Sequence, residues 1–284
     1  RPPRAVEALM LRFTKMHGAG NDFVVLDLRD GQSPPDPGTC ARIADRHRGV
    51  GCDQLLTVEV PREAGSVASY RIWNADGSPS GQCGNGARCV AHWLVQHKLV
   101  HTPEFSMDSP AGLIKVTQAD GLYALAMGRP QFAPEQIPLL AEQQSVSYQL
   151  PFEGKIIEFS AVSMGNPHAV IRVENCFDAP VERWAKFVQA AQVFPEGVNV
   201  GFAEAVTRQH IRLRVYERGV GETLACGTGA CAAAVSLMRL GLVDRQIDVH
   251  LPGGVLRIEW PSDDADVHMT GPAKLMYEGV WCND

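Results

Sequence analysis

Cys83-Gly84-Asn85-Gly86-Ala87 and Cys226-Gly227-Thr228-Gly229-Ala230 each set a thiol at the glycine-containing start of a helix. The first turn of a helix carries backbone N–H groups without intrahelical acceptors and a partial positive charge. It therefore draws a nearby thiol toward the thiolate and holds a carboxylate. Two such ends facing one another would grip an amino acid by its carboxylate, with one sulfur on each side of its α-carbon. That arrangement suits racemisation or epimerisation by two matched thiols.

The repetition extends beyond the cysteines. Gly20-Asn21 recurs as Gly165-Asn166, Gln54 as the amide Asn199, and Asn74 as Glu217, each of the last pair nine residues before its cysteine. Asn21 to Gln54 and Asn166 to Asn199 both span 33 positions, and the offset between copies is 145 early and 143 at the cysteines. A single repeat near half the chain length reads as a duplicated domain, not a solenoid.

A chain of 284 residues, 45% hydrophobic, accommodates two domains of roughly 100–150 residues with separate cores. The net charge of −6 comes without a basic tract, which excludes the electrostatic footprint of a nucleic-acid binder. The longest nearly apolar run, Ala230 to Met238, is too short to span a bilayer, and the N-terminus lacks the apolar core of a secretory signal. A cytoplasmic location is expected, with no membrane partner. Residues Arg1 to Leu9 precede Met10 and are left out of the fold reading as an extension. Cysteines at 40, 52, 83, 89, 176, 226, 231 and 282 are expected as reduced thiols, and all but Cys83 and Cys226 as buried small hydrophobes. The separations Cys83 to Cys89 and Cys226 to Cys231 do not match the tight pairs of a zinc ribbon, so no metal is expected.

The elements that must carry these residues are mostly strands. β-rich stretches are Leu11–His17, Phe23–Leu28, Leu55–Val60, Ser69–Trp73, Leu113–Thr117, Leu122–Met127, Ile156–Val162, Ala169–Val173, Ile211–Tyr216, Ile247–Leu251 and Val255–Trp260. Helices are predicted at about Cys40–Arg46, Gly86–Lys98, Val181–Ala191 and Gly229–Leu240. The helix after Cys226 has almost no polar face, which predicts burial all round. The fold class is therefore α+β, each half a curved, mostly antiparallel sheet wrapped around a central helix. The halves are expected at 10–127 with 272–284, carrying Cys83, and at 128–271, carrying Cys226, with the proline-containing Gly128–Ile137 as crossover.

Met16-His17-Gly18-Ala19-Gly20-Asn21-Asp22-Phe23, Gly51-Cys52-Asp53-Gln54, Asn74-Ala75-Asp76-Gly77-Ser78, Gln82-Cys83-Gly84-Asn85-Gly86-Ala87-Arg88-Cys89, Gly165-Asn166-Pro167-His168, Gly197-Val198-Asn199, Tyr216-Glu217-Arg218-Gly219 and Ala225-Cys226-Gly227-Thr228-Gly229 together resemble the diaminopimelate epimerase family. The motifs follow the family's order, and the resemblance covers essentially the whole chain from Met10. One departure is Pro79-Ser80-Gly81, where an acidic residue is more usual before Gln82. The resemblance implies two pseudo-symmetric halves with the active site in the cleft between them, a homodimer, no cofactor, and interconversion of LL- and meso-diaminopimelate for lysine and peptidoglycan precursors. It further implies that Cys83 and Cys226 exchange the α-proton, with His168 and Glu217 supporting the catalytic site. Gly84, Asn85, Gly227 and Thr228 would present N–H groups to the carboxylate beside the reacting carbon. Asn21, Gln54, Asn74, Asn166, Asn199, Glu217 and Arg218 would bind the remaining polar groups.

The chemistry is consistent with those residue types. An amino-acid α-proton is weakly acidic, and without an electron sink such as pyridoxal phosphate the negative charge growing on the carboxylate must meet preorganised donors. Glu217 and Arg218 suit a substrate with a second zwitterionic head, which separates diaminopimelate from proline or hydroxyproline, the substrates of racemases with the same architecture. A thiol redox or metal-binding protein is the alternative from another class. Read alone, Asn21 and Asn166 are also ordinary turn residues after glycine.

Overall fold

The computed structural model describes residues 10–81 and 83–282; Gln82, the Arg1–Leu9 extension and residues 283–284 of the expected first half lie outside the described residues. The fold is α+β, in two compact units. One runs through Tyr123 and resumes at Ala273; the other is Ala124–Pro272.

In the first unit β1 (Met10–Gly18) turns through Ala19 and Gly20 into antiparallel β2 (Asn21–Asp27). Both turn residues have positive φ, 50° and 95°, the backbone of the two-residue hairpin loop that matches strand twist. The turn delivers Asn21 to the head of β2. Helix α1 (Pro37–Ala44) crosses to β3 (Gln54–Glu59), parallel to β2, and β3 is antiparallel to β4 (Ser66–Asn74), which pairs with short β5 (Pro79–Ser80). Helix α2 (Gly84–Gln96) then crosses to β6 (Glu104–Ser109), parallel to β4, and β7 (Gly112–Ala119) returns antiparallel.

β8 (Leu122–Ala126) carries the chain into the second unit, where β9 (Tyr148–Phe152) pairs with β10 (Lys155–Ser163) and the same order begins again. β10 is antiparallel to β11 (Pro167–Arg172), and α3 (Val181–Ala190) crosses to parallel β12 (Asn199–Thr207). β13 (His210–Glu217) and β14 (Gly221–Thr223) follow antiparallel. Helix α4 (Gly227–Arg239) crosses to β15 (Gln246–Leu251), parallel to β13, and β16 (Gly254–Glu259) and β17 (His268–Pro272) return antiparallel. β18 (Lys274–Cys282) rejoins the first unit against β1. Each unit thus contains antiparallel pairs broken by two parallel crossovers, one through a peripheral helix and one through the helix that follows its cysteine.

The sheets bury both faces, so their inner strands are apolar on both sides. In β2, Val24 and Leu26 pack with Cys40 and Ile43 of α1, while Phe23 turns toward Gly86 of α2. In β12, Val200 and Phe202 pack with Val181, Ala185 and Val188 of α3. Helix α4 lies against β10, β11, β12, β13, β15 and β16, and every residue from Gly229 to Met238 is buried. Small side chains permit that enclosure, because close packing leaves no room for bulk.

The two central helices are the same device twice. Each has 13 residues, each has its cysteine as N-cap in extended conformation, and each closes in a Schellman motif. In α2 Leu99 N–H donates to Leu94 O and Lys98 N–H to Val95 O; in α4 Leu242 N–H donates to Leu237 O and Gly241 N–H to Met238 O. Among the described residues no helix is long and apolar enough to cross a membrane.

Candidate active site

Each cysteine sits where the sheet hands the chain to its central helix. Cys83 has φ −151° and ψ 105°, Cys226 φ −130° and ψ 111°, so each side chain projects over the helix end that follows it. Gly86 N–H donates to Cys83 Sγ at 3.4 Å. The glycine three residues after each cysteine makes this seat. A Cβ on Gly229 would lie 3.1 Å from Val215 Cγ2 and 3.2 Å from Cys226 Sγ; on Gly86 it would lie 3.2 Å from Leu56 and 3.3 Å from Phe23. Gly229→Ala is expected to cost about 1–3 kcal/mol of stability through overpacking and to lower kcat more than KM, because the displaced atom is the sulfur. Thermal melts with steady-state kinetics check this; a destabilised protein with wild-type kcat would show that the glycine serves only packing.

Around Cys83 the expected polar residues form chains that run back into the unit. Asn85, 2% exposed, donates from Nδ2 to Asn21 Oδ1 at 2.6 Å and accepts from Arg88 Nη2 at 2.6 Å. Asn21 Nδ2 donates to Asp53 Oδ2 at 3.2 Å. Gln54 Nε2 donates to Asn74 Oδ1 at 3.0 Å from the opposite position on β4, and Asn74 Nδ2 donates to Ser78 Oγ at 3.1 Å. Beside Asn21 lies a partly exposed ionic knot absent from the sequence reading. Lys15 pairs with Asp22 at 2.6 Å and donates to Gly51 O, while Arg46 holds Asp22 at 2.6 Å and Asp53 at 2.7 Å. Burial alone would raise the Asp22 pKa, but the Arg46 and Lys15 contacts outweigh it and hold the carboxyl far below the usual carboxylate range.

Around Cys226 the partners differ. His168, 1% exposed, places Nε2 3.0 Å from Asn166 Oδ1 and 3.1 Å from Thr228 Oγ1. Burial, then the Arg218 charge, push its pKa down to about 3, so the imidazole is neutral at physiological pH. With Asn166 Oδ1 accepting, the ring proton is on Nε2 and Thr228 accepts from the same N–H. Thr228 Oγ1 in turn lies 3.6 Å from Cys226 Sγ. Glu217 accepts from Thr223 Oγ1 at 2.6 Å and lies beside the Cys226 thiol. Burial, then the Glu217 carboxylate, raise the Cys226 pKa, outweighing the lowering by Thr228 and by the helix start. At Cys226 desolvation and the adjacent Glu217 anion therefore oppose the pull of the helix end toward the thiolate and favour the protonated sulfur.

The remaining expected residues separate into two kinds. Asn199 has its amide on backbone, accepting from Arg218 N–H at 2.9 Å and donating to Pro167 O at 3.3 Å. It shapes the Arg218 turn. Arg218 is exposed, with its guanidinium on Glu196 O and its stem crossing Gly197, where a Cβ would lie 2.6 Å from Arg218 Cδ. The N–H groups of Gly84, Asn85, Gly227 and Thr228 occupy the first two positions of their helices, where no intrahelical acceptor exists. Sequence reasoning missed Lys15, Arg46, Arg88 and Thr223 as supports. Arg88, Asp22 and Asp53 did lie inside quoted motifs, and that was the available signal.

The sequence profile of the family described as "Diaminopimelate epimerase" matches residues 13–133 and 160–276. The diaminopimelate epimerase of Xanthomonas campestris is 59% identical over 273 residues, covering 95% of this chain and 96% of the relative. The O-ureido-serine racemase of Streptomyces lavendulae is 56% identical over 275 residues, covering 95% of each. The crystal structure of a hydroxyproline epimerase from Agrobacterium vitis shares the fold with TM-score 0.69 at 16% identity, covering 97% of this chain and 93% of that one.

Proposed function

The chain belongs to the diaminopimelate epimerase family, and we propose that it interconverts LL- and meso-diaminopimelate, with Cys83 and Cys226 as the two proton carriers. The observation that carries this reading is that each central helix starts directly after its cysteine, with two N–H groups open beside the sulfur. In one direction the Cys83 thiolate removes the α-proton from one face while the Cys226 thiol protonates the other; in reverse the roles exchange. The charge that grows on the α-carboxylate as the proton leaves is met by the helix N–H groups, so the reaction needs no pyridoxal electron sink. Glu217 holds the Cys226 thiol proton, and Thr228, oriented by neutral His168, donates to the sulfur once that proton has gone.

Identity alone does not choose the substrate, since a relative named O-ureido-serine racemase is nearly as similar as the epimerases. The distal group does. A ureido group is uncharged, whereas diaminopimelate ends in a second zwitterion, and the exposed Arg218 guanidinium suits its carboxylate. Purified protein is expected to convert LL-diaminopimelate and to leave O-ureido-L-serine and L-proline unchanged; the reverse preference would overturn the assignment. Arg218→Ala should raise KM for diaminopimelate by about tenfold or more with a smaller change in kcat. Wild-type KM in that variant would remove Arg218 from the binding site.

A further inference from the structure

Thr223 lies outside every motif that marked the site, three residues before Cys226, and its hydroxyl donates to Glu217 Oε1 at 2.6 Å. The hairpin of β13 and β14 brings the two together. Val215 stands opposite Thr223 and Glu217 opposite Gly221. In an antiparallel pair, opposed residues and alternate residues along each strand share one face. Glu217 and Thr223 are therefore diagonal neighbours, and Gly221 adds no side chain beside them. The same face looks onto the start of α4, since Val215 Cγ2 is what a Cβ on Gly229 would meet at 3.1 Å.

The first unit keeps this backbone and drops the contact. Ser80, opposite Ile72, takes the place of Thr223, and Asn74 takes that of Glu217, but Asn74 accepts from Gln54 Nε2 and donates to Ser78 Oγ instead. The contact thus accompanies the carboxylate, not the hairpin. Arg218, the nearest cation in sequence, turns its guanidinium to Glu196 O, so the Glu217 carboxylate is left with the Thr223 hydroxyl and the Cys226 thiol. A thiol is a weak donor, and a half-exposed carboxylate on a flexible stem has water as the better alternative. Thr223 is β-branched and stiff at χ1, which makes its hydroxyl a fixed anchor.

We propose that Thr223 is a positioning residue whose hydroxyl anchors Glu217 against the Cys226 thiol and keeps its carboxylate from turning out to solvent. Held there, the carboxylate adds to burial in opposing the thiolate at Cys226; released, it leaves burial to act alone. The consequence for turnover rests on the epimerase reading; the anchoring does not.

The test uses the full-length protein with Thr223→Val, Thr223→Ser, Glu217→Gln and the double variant of Thr223→Val with Glu217→Gln. Thr223→Val keeps the shape and loses the hydroxyl; Thr223→Ala replaces it should the valine protein not fold. The first readout needs no substrate. The rate at which iodoacetamide alkylates Cys226, resolved by mass spectrometry of its peptide, follows the thiolate at that sulfur. Glu217→Gln is expected to quicken it about tenfold or more and Thr223→Val about threefold or more, with Thr223→Ser near wild type and the double variant no faster than Glu217→Gln alone. A slower or unchanged Cys226 in Thr223→Val, or the same quickening by that change with and without Glu217, would overturn the proposal. The second readout is turnover of LL-diaminopimelate: Thr223→Val should lower kcat about tenfold with a smaller change in KM, Thr223→Ser should recover most of it, and Thr223→Val should add nothing to Glu217→Gln. Wild-type kcat in Thr223→Val would overturn its positioning role in turnover. The expected alkylation pattern in a protein whose wild type leaves diaminopimelate untouched would support the anchoring and overturn the substrate reading instead.

Discussion

Cys83→Ala and Cys226→Ala are each expected to lose epimerisation in both directions by about 10³-fold or more, because removing either sulfur removes the proton carrier for one face. Neither change should unfold the protein. Cys83 is only half-buried, and Cys226, though buried, gives up a single atom in becoming alanine. The controls are the other helix cysteines, Cys89 and Cys231, both 0% exposed in the cores of α2 and α4. Burial raises the Cys89 pKa, as expected of a packed thiol. Cys89→Ala and Cys231→Ala should cost stability and keep kcat. Steady-state rates with thermal melts on all four variants decide the matter: equal rate loss in all four would make the cysteines a packing requirement, and an active Cys83→Ala or Cys226→Ala would end the two-carrier reading.

The duplicated half-sites have diverged around their two sulfurs. The position of Phe23 in the first unit is that of His168 in the second, and Asn85 stands where Thr228 does. Around Cys83 these residues lead to a buried guanidinium; around Cys226 they lead to a neutral imidazole and an adjacent carboxylate. A carboxylate beside a buried thiol disfavours the thiolate, which suits Cys226 to the acid role in the proposed mechanism. The backbone repeat supplies two equivalent seats, and different side chains surround them.

The repeat itself is readable from spacing, because Gly-Asn ends a strand-to-strand turn, the amide at position 54 or 199 opens a strand and the cysteine caps the central helix in each unit. The eleven strands expected from apolar pattern are present, and β5, β6, β9, β12, β14, β17 and β18 are additional, three of them for a common reason. β12 carries Gly201 and Ala203 on one face, β14 has three residues, and β18 alternates weakly because most of it is exposed. Such strands are fixed by pairing with neighbours more than by their own pattern. Three of the four helices, all but α3, begin two or three residues before the expected start. Gly84 and Gly227 have poor helix propensity, and a cysteine N-cap gives no familiar signal, whereas the Asp36-Pro37 start of α1 did offer one. The ionic knot of Lys15, Asp22, Arg46 and Asp53 joins residues up to 38 positions apart, so no local pattern could pair them.

Isotope labelling separates two thiols from one mobile base, and the burial of Cys226 dictates how the experiment is run. Enzyme equilibrated in deuterium oxide before substrate is added exchanges the Cys226 S–H for S–D, even though the side chain is only 6% exposed, because equilibration is long compared with turnover. In the proposed mechanism protiated LL-diaminopimelate then loses its α-proton to one sulfur and receives deuterium from the other on the opposite face. The first meso product should carry close to one deuteron at the inverted carbon, while the remaining LL substrate stays protiated. A single base would carry the abstracted proton across and return much of it, giving protiated product at early times. The same reasoning applies in reverse, starting from meso substrate, once the carriers have exchanged roles. Early protiated product in either direction, read by mass spectrometry before five per cent conversion, would show that one group serves both faces and that Cys83 and Cys226 are not separate base and acid.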